Sequence, residues 1–264
     1  MITKSDDFYK QMVERNIGVL SYEEQERLRS SCVAVAGCGG IGGLSAEQLV
    51  RVGVGHVKIA DHDKFAVHNL SRQTGSTSAN VGHNKADVLG RHFKEINPKL
   101  RLDIFREGVL PENTKRFIEG AEAVIDGTDF SNFKATVHMY KAARENRLCV
   151  FNPNAIGFGV NVFVFGPDTV SLEEYVGLSS GVDPRMALLK LVPYLPAYIA
   201  PEIIQKAASG EIPIPNIAMP QYLATSIAVS EVVMTLIGRV KPPAGPDPRI
   251  FILDLLDRKF SVTG

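Results

Sequence analysis

The order of apolar and polar segments predicts an α/β fold: a mostly parallel, doubly wound sheet, extended by antiparallel strands in the C-terminal half. Three observations predict it. Cys32-Val33-Ala34-Val35-Ala36 is short and apolar at every position, as in a strand buried on both faces of a parallel sheet. Helical stretches then alternate with further strands as βαβαβαβ through short connections. Beyond this, Val160 to Phe165 alternates weakly and reads as antiparallel.

Element by element, residues 1–31 read as a polar helical arm, with Ser21 and Glu24 at capping-box spacing. The first strand runs into Gly37-Cys38-Gly39-Gly40-Ile41-Gly42-Gly43, and a helix is expected from Leu44 to about Val52. Val57–Ala60 is a strand closing at Asp61, and residues 63–82 are polar and loop-like. A helix over Asn84–Ile96 is stopped by Asn97-Pro98. Arg101–Phe105 is a strand, and Pro111–Glu119 a short helix with proline at its start. Ala121–Ile125 is a strand ending at Asp126, followed by a helix over Phe133–Asn146 and a strand over Leu148–Phe151.

Prolines punctuate residues 176–220, leaving helical pieces at Arg185–Leu191 and Glu202–Ser209. A long segment of this kind is a functional lid, a substrate pocket or a subunit interface. Leu223–Ile237 is a long apolar helix, and Ile250–Leu253 is expected as the last strand. The chain reads as one domain over 1–264: the arm at 1–31, one half at 32–151 and a second half at 152–264.

Composition excludes several classes. Lys plus Arg number 29 and Asp plus Glu 29, so zero net charge argues against a whole-protein grip on nucleic acid or an anionic membrane. No apolar signal-peptide core and no membrane-length apolar run occur. The three cysteines, Cys32, Cys38 and Cys149, form no Cys-x-x-Cys pair, which removes the usual zinc spacing and fits a reducing cytoplasm.

Gly37, Gly39 and Gly42 match G-x-G-x-x-G between a strand and a helix. This is the Rossmann-like arrangement, in which the glycines permit a tight turn, close phosphate approach and close helix–strand packing. The helix N-terminus adds free N–H groups. Asp61, at the next strand end, suits hydrogen bonds to ribose hydroxyls, with Asp63 as the alternative. These features alone also fit an NAD-dependent oxidoreductase. That reading leaves Asn69-Leu70-Ser71-Arg72-Gln73, Lys85 and Asp129 unexplained, whereas a nucleoside triphosphate needs such cationic and amide groups.

Asn69-Leu70-Ser71-Arg72-Gln73 resembles the N-L-x-R-Q motif of the ThiF/MoeB/HesA family, which includes the adenylation domains of ubiquitin-activating enzymes. Asp126-Gly127-Thr128-Asp129 is similar to its D-x-T-D, and Arg15-Asn16 to its N-terminal Arg segment. The resemblance implies an ATP-dependent adenylyltransferase that forms an acyl-adenylate and releases pyrophosphate. It implies that Gly37, Gly39, Gly40 and Gly42 cradle the nucleotide, with Asp61 at the ribose. Asn69, Arg72 and Lys85 would contact the phosphates, Gln73 would support them, and Asp129 would hold Mg²⁺. Arg15 would act across a homodimer. Asp126 is left open between a supporting acid and a cap of the next helix.

The implied substrate is the C-terminal carboxylate of a small ubiquitin-like carrier protein. A peptide, a small acid, or a tRNA base as in the related dehydratases are the variants. A catalytically silent binding subunit is a further alternative. Where many family members carry zinc-binding Cys-x-x-Cys pairs or a downstream acyl-accepting cysteine, this chain has neither, so no zinc and no thioester step are expected. Cys149 reads as a buried strand thiol.

Overall fold

The structure, a computed structural model, describes residues 4–128, 133–178 and 189–264. The N-terminal arm is two helices rather than one, α1 (Lys4–Met12) and α2 (Tyr22–Ser30). Between them the chain turns through a 3₁₀ segment at Glu14–Asn16 and through Gly18 at φ 107°. Ser21 then starts a new helix by the expected capping box: its Oγ accepts from Glu24 N–H, and Glu24 Oε2 accepts from Ser21 N–H at 2.7 Å.

One sheet of eight strands follows. Its strands are β1 (Cys32–Ala36), β2 (His56–Ala60), β3 (Arg101–Phe105), β4 (Ala123–Asp126), β5 (Cys149–Ile156), β6 (Gly159–Phe165), β7 (Arg249–Asp254) and β8 (Lys259–Thr263). They lie in the order β3-β2-β1-β4-β5-β6-β7-β8. Pairings from β3 to β5 are parallel and those from β5 to β8 antiparallel, as the sequence predicts. Two strands differ from expectation. β5 continues past Phe151 because its second half pairs with β6, and β8 adds an edge beyond the strand expected to be last.

Successive residues of β1 face opposite cores, the period-2 geometry of a strand. Val33 and Val35 pack with Ala46, Leu49 and Val50 of α3 (Gly40–Val52) and with Ala86, Leu89 and Phe93 of α4 (Lys85–Ile96). Val229, Val232 and Val233 of a long helix, Ala218–Leu236, complete that layer. Ala34 and Ala36 instead meet Phe117 and Ile118 of α5 (Thr114–Ile118) and Met139 and Ala143 of α6 (Phe133–Glu145). A short α7 (Leu172–Val176) joins this second layer, and α8 (Pro201–Ser209) precedes the long helix, α9.

Three helix starts depart from the sequence reading. α3 begins at Gly40, not Leu44, because tight packing there selects glycine against its low helix propensity. α5 begins only at Thr114, since Asn113 accepts from Leu110 N–H and donates to Gly108 O, holding 110–113 in a turn. α9 begins at Ala218 and runs through Pro220, whose missing N–H costs nothing in a first turn. The expected helix at Arg185–Leu191 lies mostly outside the described residues; Leu189–Leu191 is a 3₁₀ turn.

The arm braces the site from behind. Tyr9 Oη donates to Gly53 O at 2.7 Å, while Gln25 Nε2 and Asn16 Nδ2 donate to Val52 O at 2.9 and 3.1 Å. These bonds satisfy carbonyls that the C-terminus of α3 would otherwise leave unpaired.

Candidate active site

Where β1, β2 and β4 end, three glycines bring backbones into contact. Gly37 turns the chain at φ 87°, and any Cβ there would overlap the Gly127 carbonyl. A Cβ at Gly42 would overlap the Gly37 carbonyl. Gly37 and Gly42 are therefore demanded by packing whether or not a ligand is present. Gly39 is different. A Cβ there meets nothing nearer than Gln73 Nε2 at 3.6 Å and would project into a cleft. Gly39 is also the N-cap of α3 and makes no side-chain cap, so the first-turn N–H groups face an open site, the usual seat of a phosphate.

The cleft encloses about 760 Å³ along the carboxyl edge of the sheet. Gly37, Gly39, Gly40, Asp61, Asp63, Asn69, Arg72, Gln73 and Lys85 all line it. Gly42 lies just beneath, in the packing described above. The sequence-predicted nucleotide residues are thus brought together, with two exceptions. Asp129 lies outside the described residues. Arg15 is exposed in the 3₁₀ turn of the arm and does not line this chain's cleft.

Each polar group has a definite tether. Asp61 Oδ2 accepts from Cys38 N–H at 2.6 Å and its Oδ1 from Asp63 N–H at 2.8 Å, which pins the glycine loop to the end of β2. One lone pair on each oxygen remains for a hydroxyl. Burial lifts the Asp61 carboxyl above its ordinary range, while the Lys85 charge and the two backbone donors pull the other way. Lys85 is buried at the first position of α4 and pairs with Asp63 Oδ2 at 2.9 Å. Asn84, the N-cap of α4, donates to the carbonyls of Asp61 and Asp63, so this ion pair sits on a fixed frame.

Asn69 spends its Oδ1 on Ala66 N–H at 2.8 Å and leaves its Nδ2 without an acceptor among the described residues. Arg72 donates one bond to His68 O at 2.9 Å and has no carboxylate partner among the described residues. Two cations and an amide donor therefore converge on the glycine loop, and one of the cations is uncompensated.

Asp126 caps no helix among the described residues. It is buried, and its carboxylate accepts from Thr128 N–H and Oγ1, Tyr140 Oη and Asn152 Nδ2. Burial raises its carboxyl above the ordinary range. Among the described residues, the ligand atoms of Asp61, His62 and Asp63 lie within 4.8 Å of one another. Those acids are already held by backbone N–H groups and by Lys85, so they make a poor free metal site.

The opposite wall comes partly from the 176–220 segment expected as a lid, pocket or interface, whereas Asn154 and Gln221 were not anticipated. Asn154, Val192, Pro213, Ile214, Asn216 and Gln221 line the same cleft. Gln221 lies against Gly40, and the buried amide oxygens of Gln73, Asn216 and Gln221 have no hydrogen-bond partner among the described residues. The polar break Asn152-Pro153-Asn154 within an apolar strand is the signal that would have pointed here. His62 and His68 also line the cleft.

The three cysteines are buried, and burial pushes the Cys32 and Cys149 thiols up to about 11. Cys38 is pushed well above its ordinary value by burial and by Asp61.

A glycine-loop cleft with a strand-end acid and converging cations defines a nucleotide-handling α/β enzyme. The chain belongs to the ThiF family, whose pattern matches residues 13–261, and it is an adenylyltransferase of that family. It is 27% identical over 255 residues to the sulfur carrier protein adenylyltransferase of Thermus thermophilus, spanning 97% of this chain and 85% of that protein. The tRNA threonylcarbamoyladenosine dehydratase of Haemophilus influenzae is 32% identical over 132 residues, half of each chain. Among solved structures, PaaA superposes with a TM-score of 0.69 at 20% identity, covering 99% of this chain and 72% of that one, a likeness of fold. No described helix is long and apolar enough to cross a membrane.

Proposed function

We propose that the chain is a cytoplasmic adenylating enzyme, one catalytic unit over 1–264, that transfers the adenylyl group of ATP to the C-terminal carboxylate of a small ubiquitin-like carrier and releases pyrophosphate. The observation that carries this reading is the convergence of Arg72, Lys85 and the open N-terminus of α3 on one cleft. The activity of the Thermus relative supports the carrier as substrate.

In this reading a carboxylate oxygen attacks the α-phosphorus, a new P–O bond forms, and the bond to the leaving pyrophosphate breaks. No general base is required, since the acid is already ionised. The backbone at Gly39–Gly42 seats phosphate oxygens, and Asp61 accepts from a ribose hydroxyl. Asn69, Arg72 and Lys85 contact the phosphates and stabilise the charge that develops on the phosphoryl oxygens, with Gln73 supporting them. Lys85, held by Asp63, is pre-positioned for this. Mg²⁺ would neutralise phosphate charge, and Asp129 is the proposed ligand.

Arg15 is proposed to complete the site of a second subunit in a homodimer. Mixing Arg15→Ala with Arg72→Ala subunits should restore part of the activity, whereas no rescue in formed heterodimers would refute that role. The dehydratase relative favours a second reading, activation of a modified tRNA base. Zero net charge argues against that polyanionic partner.

The test is exchange of labelled pyrophosphate into ATP. It is expected to require a carboxylate ending in Gly-Gly. Exchange driven by tRNA alone would favour the second reading, and tight NAD binding without ATP binding would overturn both.

A further inference from the structure

The carboxyl edge of the sheet orders the cleft. The segment after β3 (Glu107 to Leu110) and Asp61 after β2 lie at one end, the glycine loop after β1 in the middle, and Asn154 on β5 at the other. From β2 to β5 is three strand steps, roughly 14 Å. With ribose at Asp61 and phosphates at the glycine loop, the β5 end is left for the acid. This placement rests on the adenylation reading above.

A chain of side chains fixes what that end offers. Asp126 receives four donors and acts only as an acceptor, so Asn152 must turn its Nδ2 toward it, at 3.1 Å. Asn152 Oδ1 then faces Asn154, two residues on along the same strand face. Asn154 Nδ2 donates to it at 2.6 Å. The remaining atom, Asn154 Oδ1, has no partner among the described residues and lies at the cleft wall. Asn161 stands opposite Asn154 in the β5–β6 register, and its buried Oδ1 is also unpartnered. Asn161 does not line the cleft, whereas Asn154 Oδ1 is open to it, and a ligand that covers this oxygen without donating to it leaves an acceptor unsatisfied at a cost of about 1–3 kcal/mol. This end of the cleft therefore presents one acceptor of fixed polarity, Asn154 Oδ1, and no described cation.

We propose that Asn154 selects the acid substrate: its Oδ1, set as an acceptor through Asn152 and Asp126, takes a hydrogen bond from an amide N–H adjoining the reacting carboxylate. The substrate class is then the C-terminal residue of a peptide or protein, and acids lacking that N–H are disfavoured. Asn152 and Asp126 are positioning residues.

The experiment compares two probes in ATP–pyrophosphate exchange at millimolar concentration. One is a decapeptide ending in Gly-Gly. The other is its depsipeptide analogue, in which the last amide N–H is replaced by an ester oxygen. Wild-type enzyme should favour the amide in kcat/KM by roughly 10- to 100-fold, the scale of one buried acceptor left unpaired. Asn154→Ala should bring the ratio toward one, while Asn154→Asp, which keeps an acceptor, should retain a preference. The KM for ATP should move little in either variant. Should Asn154→Ala fail to fold, the wild-type ratio still decides. Equal use of amide and ester would overturn the role of Asn154 and leave adenylation standing. Exchange with non-peptide acids but neither probe would overturn this substrate class, and exchange with no acid at all would overturn adenylation as well.

Discussion

The two ends of the cleft are built from different chemistry. The nucleotide end holds Arg72, Lys85, Asp61 and Asp63 around a bare helix N-terminus. The β5 end holds the neutral amide Asn154 beside Ile156, while Gln221 reaches from α9 to Gly40 and Asn216 lines the same cleft. Full charges suit phosphates, whose negative charge rises and redistributes during reaction. Neutral amides of fixed direction suit recognition, where the gain comes from rejecting a partner that leaves a buried group unpaired. Turnover should therefore depend chiefly on the first end and substrate choice on the second.

The largest effect expected is at the charged end. Arg72→Ala or Lys85→Ala should lower turnover by roughly 10²–10³, the scale of losing one charge-stabilising donor. Steady-state kinetics on both variants check this, and near-wild-type values would erase the contrast.

Next come the thiols, which belong to neither end. Cys32 and Cys149, at about 11, should hold on the order of 100-fold less thiolate at pH 8 than a thiol at its ordinary value. Iodoacetamide should label them slowly in native protein and quickly in denaturant. The sign follows from the raised values. The stability these thiols confer is complete below pH about 9 and is lost as pH rises through about 11. Fast native labelling that abolishes turnover would bring a thiol into the mechanism.

Two glycines then separate packing from binding within the charged end. Gly42→Ala should destabilise the fold by about 1–3 kcal/mol, because its Cβ overlaps the Gly37 carbonyl. Gly39→Ala should leave the melting temperature near wild type and weaken ATP binding, because its Cβ enters the cleft. Thermal melts and ATP titrations distinguish them, and a reversed pattern would misplace the phosphate seat. The smallest effect is expected at the neutral amide beside Gly40. Gln221→Leu removes a buried unpaired oxygen and should change stability by only about 1 kcal/mol, toward greater stability. A large loss in a thermal melt would show that this oxygen is paired after all.

The same contrast explains what the sequence made legible. The parallel half announces itself through wholly apolar strands and a glycine loop, so β1 to β4 and most of the residues that line the charged end of the cleft were readable. Asp126 was not, because a strand-end Asp serves equally as a helix cap. Only its contacts with Tyr140 and Asn152, distant in sequence, settle its role as an anchor. The amide end was illegible for a related reason. Asn154, Asn216 and Gln221 come from separate segments, and amides carry no spacing rule of the kind that marks a phosphate loop. β8 was missed because an exposed edge strand lacks the apolar run that marks a buried one.

The central claim is that a carboxylate attacks the α-phosphorus of ATP. The most direct measurement supplies a Gly-Gly-ended carrier or peptide with ¹⁸O in its terminal carboxylate and analyses the nucleotide product by mass spectrometry. AMP carrying one ¹⁸O after transfer of the acyl group, with unlabelled pyrophosphate, is the predicted result. ADP as product, or AMP free of label, would contradict it.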